Sequence, residues 1–522
     1  MTEPDWQKVT SEGDVKEGIP VAFKVGKEKV LLVRLEGQIH ACAGECTHYH
    51  APLEEGLLTG HIITCPWHNA RFDVTTGEMV SPPALAHLRC YEVKVEDGTV
   101  YVRRTKRAKP TPRPETEDQT FVIVGAGAAG NAAAETLRRE GFAGRICLIT
   151  AEADRPYDRP NLSKEYLAGT AKPGWIPLRS ETFYPKRDIE LMTERRVVRL
   201  DCGVRSVTFE NSQSVHYDRL LVATGGRPRR LDIPGSDLEG VFTLRSKTDA
   251  DQIIAALTDA QNVVVIGASF IGLEAAASLI ERGLTVSVVG PEEVPLARVF
   301  GERIGKWLMG LHEKKGVEFH LGVKPAEIKG KQRVESVTLS DGSRLAADVV
   351  IVGIGVTPVV DCLSSAGLAA ESGVPVDEHL KTADDWVYAA GDIALVPYAP
   401  LARRIRVEHW AVAERQGQHA ARAMMGSTEP YNEVPFFWTQ QYDKSLSYAG
   451  LATSFDRIAY RGTVSGKGFL AGYYQEDKLL AVASLWRDAE FIAASEILKA
   501  GKAVTFEQFE DEKVDLRELI GS

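Results

Sequence analysis

The sequence is poor in cysteine: its 522 residues hold seven, widely scattered, which cannot form the disulfide framework of a small secreted domain. It has no excess of basic charge. Lys and Arg total 62 against 72 Asp and Glu, for a net charge of -10. That balance argues against a nucleic acid partner and leaves no broad cationic surface for anionic lipid. Long apolar runs are also missing. The longest, Val263 to Ile280, is interrupted by Gly267, Ser269, Gly272 and Glu274, and reads as a strand, turn and helix with no membrane span. The opening residues Met1, Thr2, Glu3, Pro4, Asp5 and Trp6 are acidic and have no apolar centre. Neither a secretory signal nor an arginine-rich transit peptide is expected there, and the expected location is cytoplasmic. The composition, 44% hydrophobic and 26% charged, is that of a globular protein, long enough for three or four domains.

Two short boxes near the start carry the most chemistry: Cys46-Thr-His48-Tyr-His50-Ala-Pro and Cys65-Pro-Trp-His68-Asn-Ala-Arg-Phe-Asp73. Two thiolates and two imidazoles are what a [2Fe-2S] cluster of mixed ligation needs, with Cys46 and Cys65 on one iron and His48 and His68 on the other. A Cys2His2 zinc site uses the same donors. Zinc fingers, however, usually pair Cys with Cys and His with His, whereas each box here holds one of each. The boxes resemble those of Rieske proteins. High-potential Rieske proteins carry an extra cysteine in each box, and the matching positions here are Ala51 and Trp67; Ala70 stands where a serine hydroxyl often meets a cluster sulfur. Fewer hydrogen bonds stabilise the reduced state less, so the expected potential is at the low end of the Rieske range, about -150 mV. His50, His61 and His87 read as loop or surface residues, and Cys42, Cys90, Cys147, Cys202 and Cys362 as small core residues.

Along the chain, residues 1-104 read as a small all-β module with strands at Val21-Val25, Lys29-Arg34, Tyr91-Val95 and Thr99-Val102. A segment rich in charge and proline follows over residues 105-118, with Pro110, Pro112 and Pro114 alternating. It reads as an extended linker that buries little and spans roughly 35-40 Å, enough for the module to swing or to reach a neighbouring subunit. From Thr120 the pattern is β-α-β: the strand Phe121-Val124, then Gly125, Gly127, Ala129 and Gly130 opening an alanine-rich helix, then Ile146-Ile149. In this context the glycines are a dinucleotide fingerprint, with phosphates expected at the helix N-terminus and Glu152 on the ribose. A second unit has Val263-Ile266, Gly267, Ser269 and Gly272, a helix to Glu281, and Thr285-Val289. Ser269 replaces the middle glycine and is expected to crowd the phosphate slightly. Beside the first unit it reads as a second cofactor site. Glu292 and Glu293 follow its last strand with no adjacent arginine, which favours NADH over NADPH.

From Phe121 onward the chain resembles the flavoprotein ferredoxin reductases of the putidaredoxin reductase and biphenyl dioxygenase reductase type. With the cluster module it resembles the Rieske-containing apoptosis-inducing-factor-like flavoproteins. The shared motifs are Pro156-Tyr-Asp-Arg159-Pro-Asn-Leu-Ser-Lys164, Ala223-Thr-Gly-Gly226, Gly267 to Glu274, Val352-Gly-Ile-Gly355, Ala390-Gly-Asp392 and Phe437-Trp438. The resemblance implies a multidomain chain: an all-β Rieske module, then an α/β flavoprotein with two dinucleotide-binding domains and a C-terminal α+β domain. The expected boundaries are 119-245 and 366-430 for FAD binding, 246-365 for NAD binding and 431-522 for the C-terminal domain. It implies that Asp392 holds the FAD ribityl hydroxyls and that Arg159, Lys164, Val197, Ala223, Thr224, Arg245 and Trp410 line the flavin. Gly353 belongs to the nicotinamide-dinucleotide site. Lys164 and Glu274 would pair near the isoalloxazine as the catalytic pair, and Trp438 would stack where nicotinamide docks.

Disulfide reductases of this architecture carry cysteines soon after the first fingerprint, and Tyr157 to Gly169 contains none. The implied function is therefore electron transfer from NADH through FAD to the chain's own cluster, and on to an acceptor protein such as a terminal oxygenase. An oxidase or diaphorase using oxygen or quinone, and a redox-signalling protein, are the alternatives. The expected assembly is a monomer or homodimer.

Overall fold

The computed structural model describes residues 6-105, 110-172 and 174-521; the acidic residues 1-5 and part of the 105-118 linker lie outside the described residues. The N-terminal module is built on a six-stranded antiparallel sheet. Its spatial order is Gln7-Ser11, Thr99-Arg104, Cys90-Glu96, Gln38-Ala43, Glu28-Leu35 and Val21-Val25. Alternation along Glu28-Leu35 divides its side chains between two cores, because successive residues of a strand point to opposite faces. Val30 and Leu32 join one core with Val100 and Val102. Leu31 and Val33 join the other, beneath Cys46 and Cys65. A second antiparallel sheet, Leu57-Thr59, Ile62-Thr64, Arg71-Asp73 and Met79-Ser81, carries the second box in the turn between its middle strands.

Two parallel five-stranded sheets follow. The first has the order Ile189-Met192, Arg145-Ile149, Thr120-Val124, Arg219-Val222 and Val387-Ala389. Its last strand arrives only after the second sheet is complete, so the second unit is inserted into the first. The inserted sheet runs Val241-Thr243, Val349-Val352, Asn262-Ile266, Thr285-Gly290 and Val317-Leu321. Central strands in both are apolar throughout, as a sheet covered on both faces requires. The chain ends in a five-stranded antiparallel sheet, Phe436-Gln441, Lys444-Gly450, Lys478-Leu485, Gly468-Gln475 and Arg457-Thr463, packed by the helix Asp488-Ala500.

The helix Ala128-Arg139 lies against Trp410-Met424 at close range. A Cβ added at Gly417 would stand 2.0 Å from the carbonyl oxygen of Ala129, so no larger residue fits there. This crossing ties the first fingerprint to the helix that also meets the cluster module.

The linker differs from the expected free spacer. Arg113 donates its N-H to the Gly141 carbonyl at 2.8 Å, and the Thr116 hydroxyl accepts from the Ala143 N-H at 2.9 Å. Residues 111-117 are thus pinned where the helix Ala128-Arg139 ends, because exposed backbone groups there need partners. Cys90 and Cys202 are only half-buried, unlike Cys42, Cys147 and Cys362.

Candidate functional site

The two boxes fold into the same loop. In each, the N-H of the cysteine bonds the carbonyl five residues on, Cys46 to Ala51 at 2.9 Å and Cys65 to Ala70 at 2.8 Å. The residue four beyond the cysteine bonds back to it, His50 at 3.0 Å and Asn69 at 3.2 Å. Both of these residues are left-handed, with φ of 59° and 55°, which explains a loop histidine at position 50. The loops bring the four expected ligands together as two pairs. Cys46 and Cys65 are buried side by side, and their mutual hydrogen bond raises the Cys46 thiol and lowers Cys65. His48 and His68 approach with Nδ1 atoms 3.1 Å apart. Burial holds His48 down at about 4, and burial, with His48 and Lys164 as neighbours, holds His68 well below the ordinary imidazole value, so both rings are neutral. Among the described residues no three such donors gather around one point as a single ion requires. A sulfur pair beside a nitrogen pair fits a two-iron cluster better than tetrahedral zinc.

A cavity of about 1280 Å³ runs between the two parallel sheets and the C-terminal sheet. Gly125, Gly127, Ala129, Glu152, Arg159, Lys164, Val197, Ala223, Thr224, Arg245, Asp392 and Trp410 all line it, as do Ser269, Gly353, Glu274 and Trp438. Gly130, Gly267, Gly272 and Glu292 do not. The fingerprint glycines divide their work. Gly125 has φ 107°, and a Cβ there would lie 2.1 Å from the Ala223 carbonyl. Gly130 packs its helix on the strand, with an added Cβ 1.7 Å from Gly125 O; Gly127 faces open space at the helix N-terminus. That is the cradle a pyrophosphate needs. In the second unit, Gly267 and Gly272 pack in the same way beneath the cavity floor. The Ser269 hydroxyl, at the cavity wall, has two partners. It caps the helix Phe270-Glu281 by accepting from the Gly272 N-H at 3.2 Å, and donates to the Gly353 carbonyl at 2.8 Å. Glu292 folds its carboxylate back toward Gly290 at the end of the strand Thr285-Gly290.

Polar groups in the cavity are tied to one another. Glu152 accepts from Tyr157 Oη at 2.6 Å and Arg159 at 2.9 Å; burial opposes its charge, but these partners hold its carboxyl below the usual range. Asp392 accepts from Arg245 at 2.6 Å. Glu274, 5% exposed, is a hub. Its carboxylate accepts from Lys164 Nζ at 2.7 Å, Ser163 Oγ at 2.6 Å and Thr439 Oγ1 at 2.7 Å, joining the FAD-side segment, the inserted unit and the C-terminal sheet.

Trp438 lines the cavity and also packs against the expected cluster ligands, its ring centroid 4.5 Å from His68 in a tilted arrangement and 6.2 Å from His48 edge-on. Phe437 and Trp438 of the strand Phe436-Gln441 both line the cavity, and the tryptophan also meets the boxes. The aromatics beside the inserted unit are Phe270 and Phe437, with ring centroids 4.9 Å apart, and His409 stacked on Phe437 at 4.2 Å.

The sequence offered no signal for the contacts that seat the cluster module on its own chain. Tyr49 donates its hydroxyl to Asp158 at 2.5 Å, Arg415 donates to the Asn69 carbonyl at 3.1 Å, and Gln418 to the Val80 carbonyl at 3.0 Å. Arg179 donates to the Leu85 carbonyl. Beside them Arg71 faces Glu433 at 3.9 Å and Glu496 at 3.6 Å.

Comparison with known proteins places each part. Residues 119-417 match the family described as pyridine nucleotide-disulphide oxidoreductase, residues 5-92 a Rieske [2Fe-2S] domain, and residues 436-520 a reductase C-terminal domain. The chain is 37% identical to apoptosis-inducing factor 3 of Homo sapiens, covering 94% of this chain and 83% of that protein. It is 35% identical to rhodocoxin reductase of Rhodococcus erythropolis over 76% of this chain and 93% of that one. Among solved structures it is similar to the covalent putidaredoxin reductase-putidaredoxin complex, with a TM-score of 0.74, 33% identity and coverage of 78% of this chain and 99% of the other.

Proposed function

We propose, from the premise that this chain belongs to the pyridine nucleotide-disulphide oxidoreductase family and carries a Rieske [2Fe-2S] domain ahead of it, that it is an NADH-dependent reductase feeding its own cluster and, through it, an acceptor protein such as an oxygenase. It is an oxidoreductase of ferredoxin reductase type, and its families use FAD, a nicotinamide dinucleotide and a [2Fe-2S] cluster. When bound, the flavin takes the electron pair of a hydride and the cluster takes electrons singly, so one NADH oxidised balances two deliveries.

The chain's own residues supply position and charge. Gly127 and the N-terminus of the helix Ala128-Arg139 receive phosphate, while Glu152 and Asp392 offer carboxylates to hydroxyls along the cavity. Lys164 and Glu274 keep a paired charge beside the box histidines without leaving either ion alone in a buried site. Glu292 and Glu293 repel a 2′-phosphate, which supports NADH. No thiol lies between Tyr157 and Gly169 to take an electron pair.

The single observation that carries the reading is Trp438, which lines the cavity and packs against His68 of the same chain, ring centroids 4.5 Å apart. A Cys65→Ser variant tests it. Under anaerobic conditions NADH should still bleach the flavin, while reduction of an added Rieske-type acceptor is lost. Full acceptor reduction by that variant would sink the relay.

A further inference from the structure

Two cysteines of the N-terminal module lie outside the boxes, and its main sheet sets them opposite each other. Cys42 belongs to the strand Gln38-Ala43 and Cys90 opens the strand Cys90-Glu96; in their antiparallel register Ala41 faces Tyr91 and Cys42 faces Cys90. The Ala43 N-H donates to the Arg89 carbonyl at 2.8 Å, so the cysteines occupy the position between hydrogen-bonded pairs, where opposed side chains stand closest. Cα atoms at such a position are about 4.5 Å apart, inside the range of about 4.4-6.8 Å that a disulfide bridges.

The two thiols differ in reach. Cys42 is 1% exposed and packs in the core beneath Cys46 and Cys65, where burial pushes its thiol well above the ordinary value. Cys90 is half-buried, and its Sγ donates to the Thr76 carbonyl at 2.9 Å. Gly77 leaves room for that sulfur, since an added Cβ would stand 2.3 Å from it. A small reagent therefore meets Cys90 first, and a turn of the Cys90 side chain away from Thr76 carries its sulfur toward Cys42. The chain between the two cysteines holds both boxes and so all four expected cluster ligands. A bond across the sheet closes the chain around them, which takes freedom from any opened state.

We infer that Cys42 and Cys90 form a thiol-disulfide modification site, oxidised by a low-molecular-weight disulfide and reversed by thiols, whose closure locks the chain around the cluster boxes. Cys90, as thiolate, attacks one sulfur of the small disulfide; that S-S bond breaks and one small thiol leaves. Cys42 then loses its proton, displaces the second small thiol and completes the Cys42-Cys90 bond. The protein sulfurs give up two electrons, the small disulfide takes both, and the two protons leave on the released thiols. A reversible bond of this kind suits a reducing compartment, where permanent disulfides are rare. Neither cysteine is a ligand in the electron path proposed above, so the two readings fail separately.

Glutathione disulfide is the probe, added anaerobically to the holo-protein and followed by acid quenching, alkylation and peptide mass spectrometry. The expected product is a cross-linked Cys42-Cys90 peptide that dithiothreitol removes, with the visible absorbance of the cluster unchanged. Cys42→Ala should instead trap one glutathione on Cys90. Glutathione retained on Cys90 of the unaltered protein, both cysteines still alkylated, or no glutathione on the variant overturns the inference. Bleaching of the cluster by EDTA measures the lock. The disulfide form should bleach about ten-fold more slowly than the thiol form, and Cys90→Ser should bleach alike under both treatments. Equal bleaching of the two unaltered forms, or a difference that persists in Cys90→Ser, contradicts the lock.

Discussion

Glu274 is the residue on which three parts of the molecule meet. One carboxylate holds Lys164, Ser163 and Thr439, drawn from positions more than a hundred residues away in each case. Removing one partner of a buried ion pair leaves the other charge uncompensated, which costs about 3-5 kcal/mol. Glu274→Ala should therefore lower unfolding stability by about that amount in denaturant titration, whereas the double variant Glu274→Met with Lys164→Met should recover much of the loss. If both variants are equally unstable, the pair is not what joins these segments. The ligand residues themselves were legible from the sequence because their spacing is local: each Cys and His lies within one tight loop. The contact of Tyr49 with Asp158 was not, since the two lie 109 residues apart, in separate motifs that carry no signal of each other. Arg415 and Asn69, 346 residues apart, make the same point.

At the scale of elements, the strand Phe436-Gln441 does two things with one alternating pattern. Phe436 and Trp438 share one face, toward the C-terminal core and the boxes, while Phe437 and Thr439 on the other face meet Phe270 and Glu274 of the inserted unit. The Trp438→Ala variant should leave NADH bleaching of flavin unchanged and slow the subsequent appearance of reduced cluster, read by stopped-flow absorbance with freeze-quench EPR. Unaltered cluster reduction would remove Trp438 from the route. The element pattern of both β-α-β units was open to sequence reading, down to the helix ending at Glu281. Apolar strands, glycine turns and capping residues act over a few positions, so periodicity reveals them. Which end of a strand meets which neighbour depends on how sheets are docked, and no local signal carries that. The contact of Trp438 with the boxes was hidden for this reason, as were the capping partners of the Ser269 hydroxyl.

The whole molecule stores acid sensitivity in buried histidines. His312 lies against Gln441 Oε1 at 2.8 Å and Tyr442 Oη at 3.1 Å, and burial lowers it to about 4. His419 is lowered to about 4, again chiefly by burial. Unfolding returns each to about 6.5, so between pH 6.5 and 4 the unfolded chain binds more protons than the folded one and stability falls as pH falls. For His312 the loss by pH 4 is about 3 kcal/mol, and His312→Gln should flatten the profile measured by denaturant unfolding between those pH values. A profile that keeps its slope in the variant would place the sensitivity elsewhere.

The linker of residues 105-118 could, on sequence alone, carry the module to a neighbour. Residues 111-117 are pinned to the reductase, and the boxes face Trp438 of their own chain. The central claim, an electron path completed within one chain, is tested most directly by anaerobic mixing of the holo-protein with NADH over a wide range of protein concentration, following flavin bleaching optically and the reduced cluster by EPR. The account predicts that cluster reduction follows flavin reduction at a rate independent of protein concentration. A rate rising in proportion to protein concentration, or a cluster that stays oxidised while the flavin is fully reduced, would contradict it.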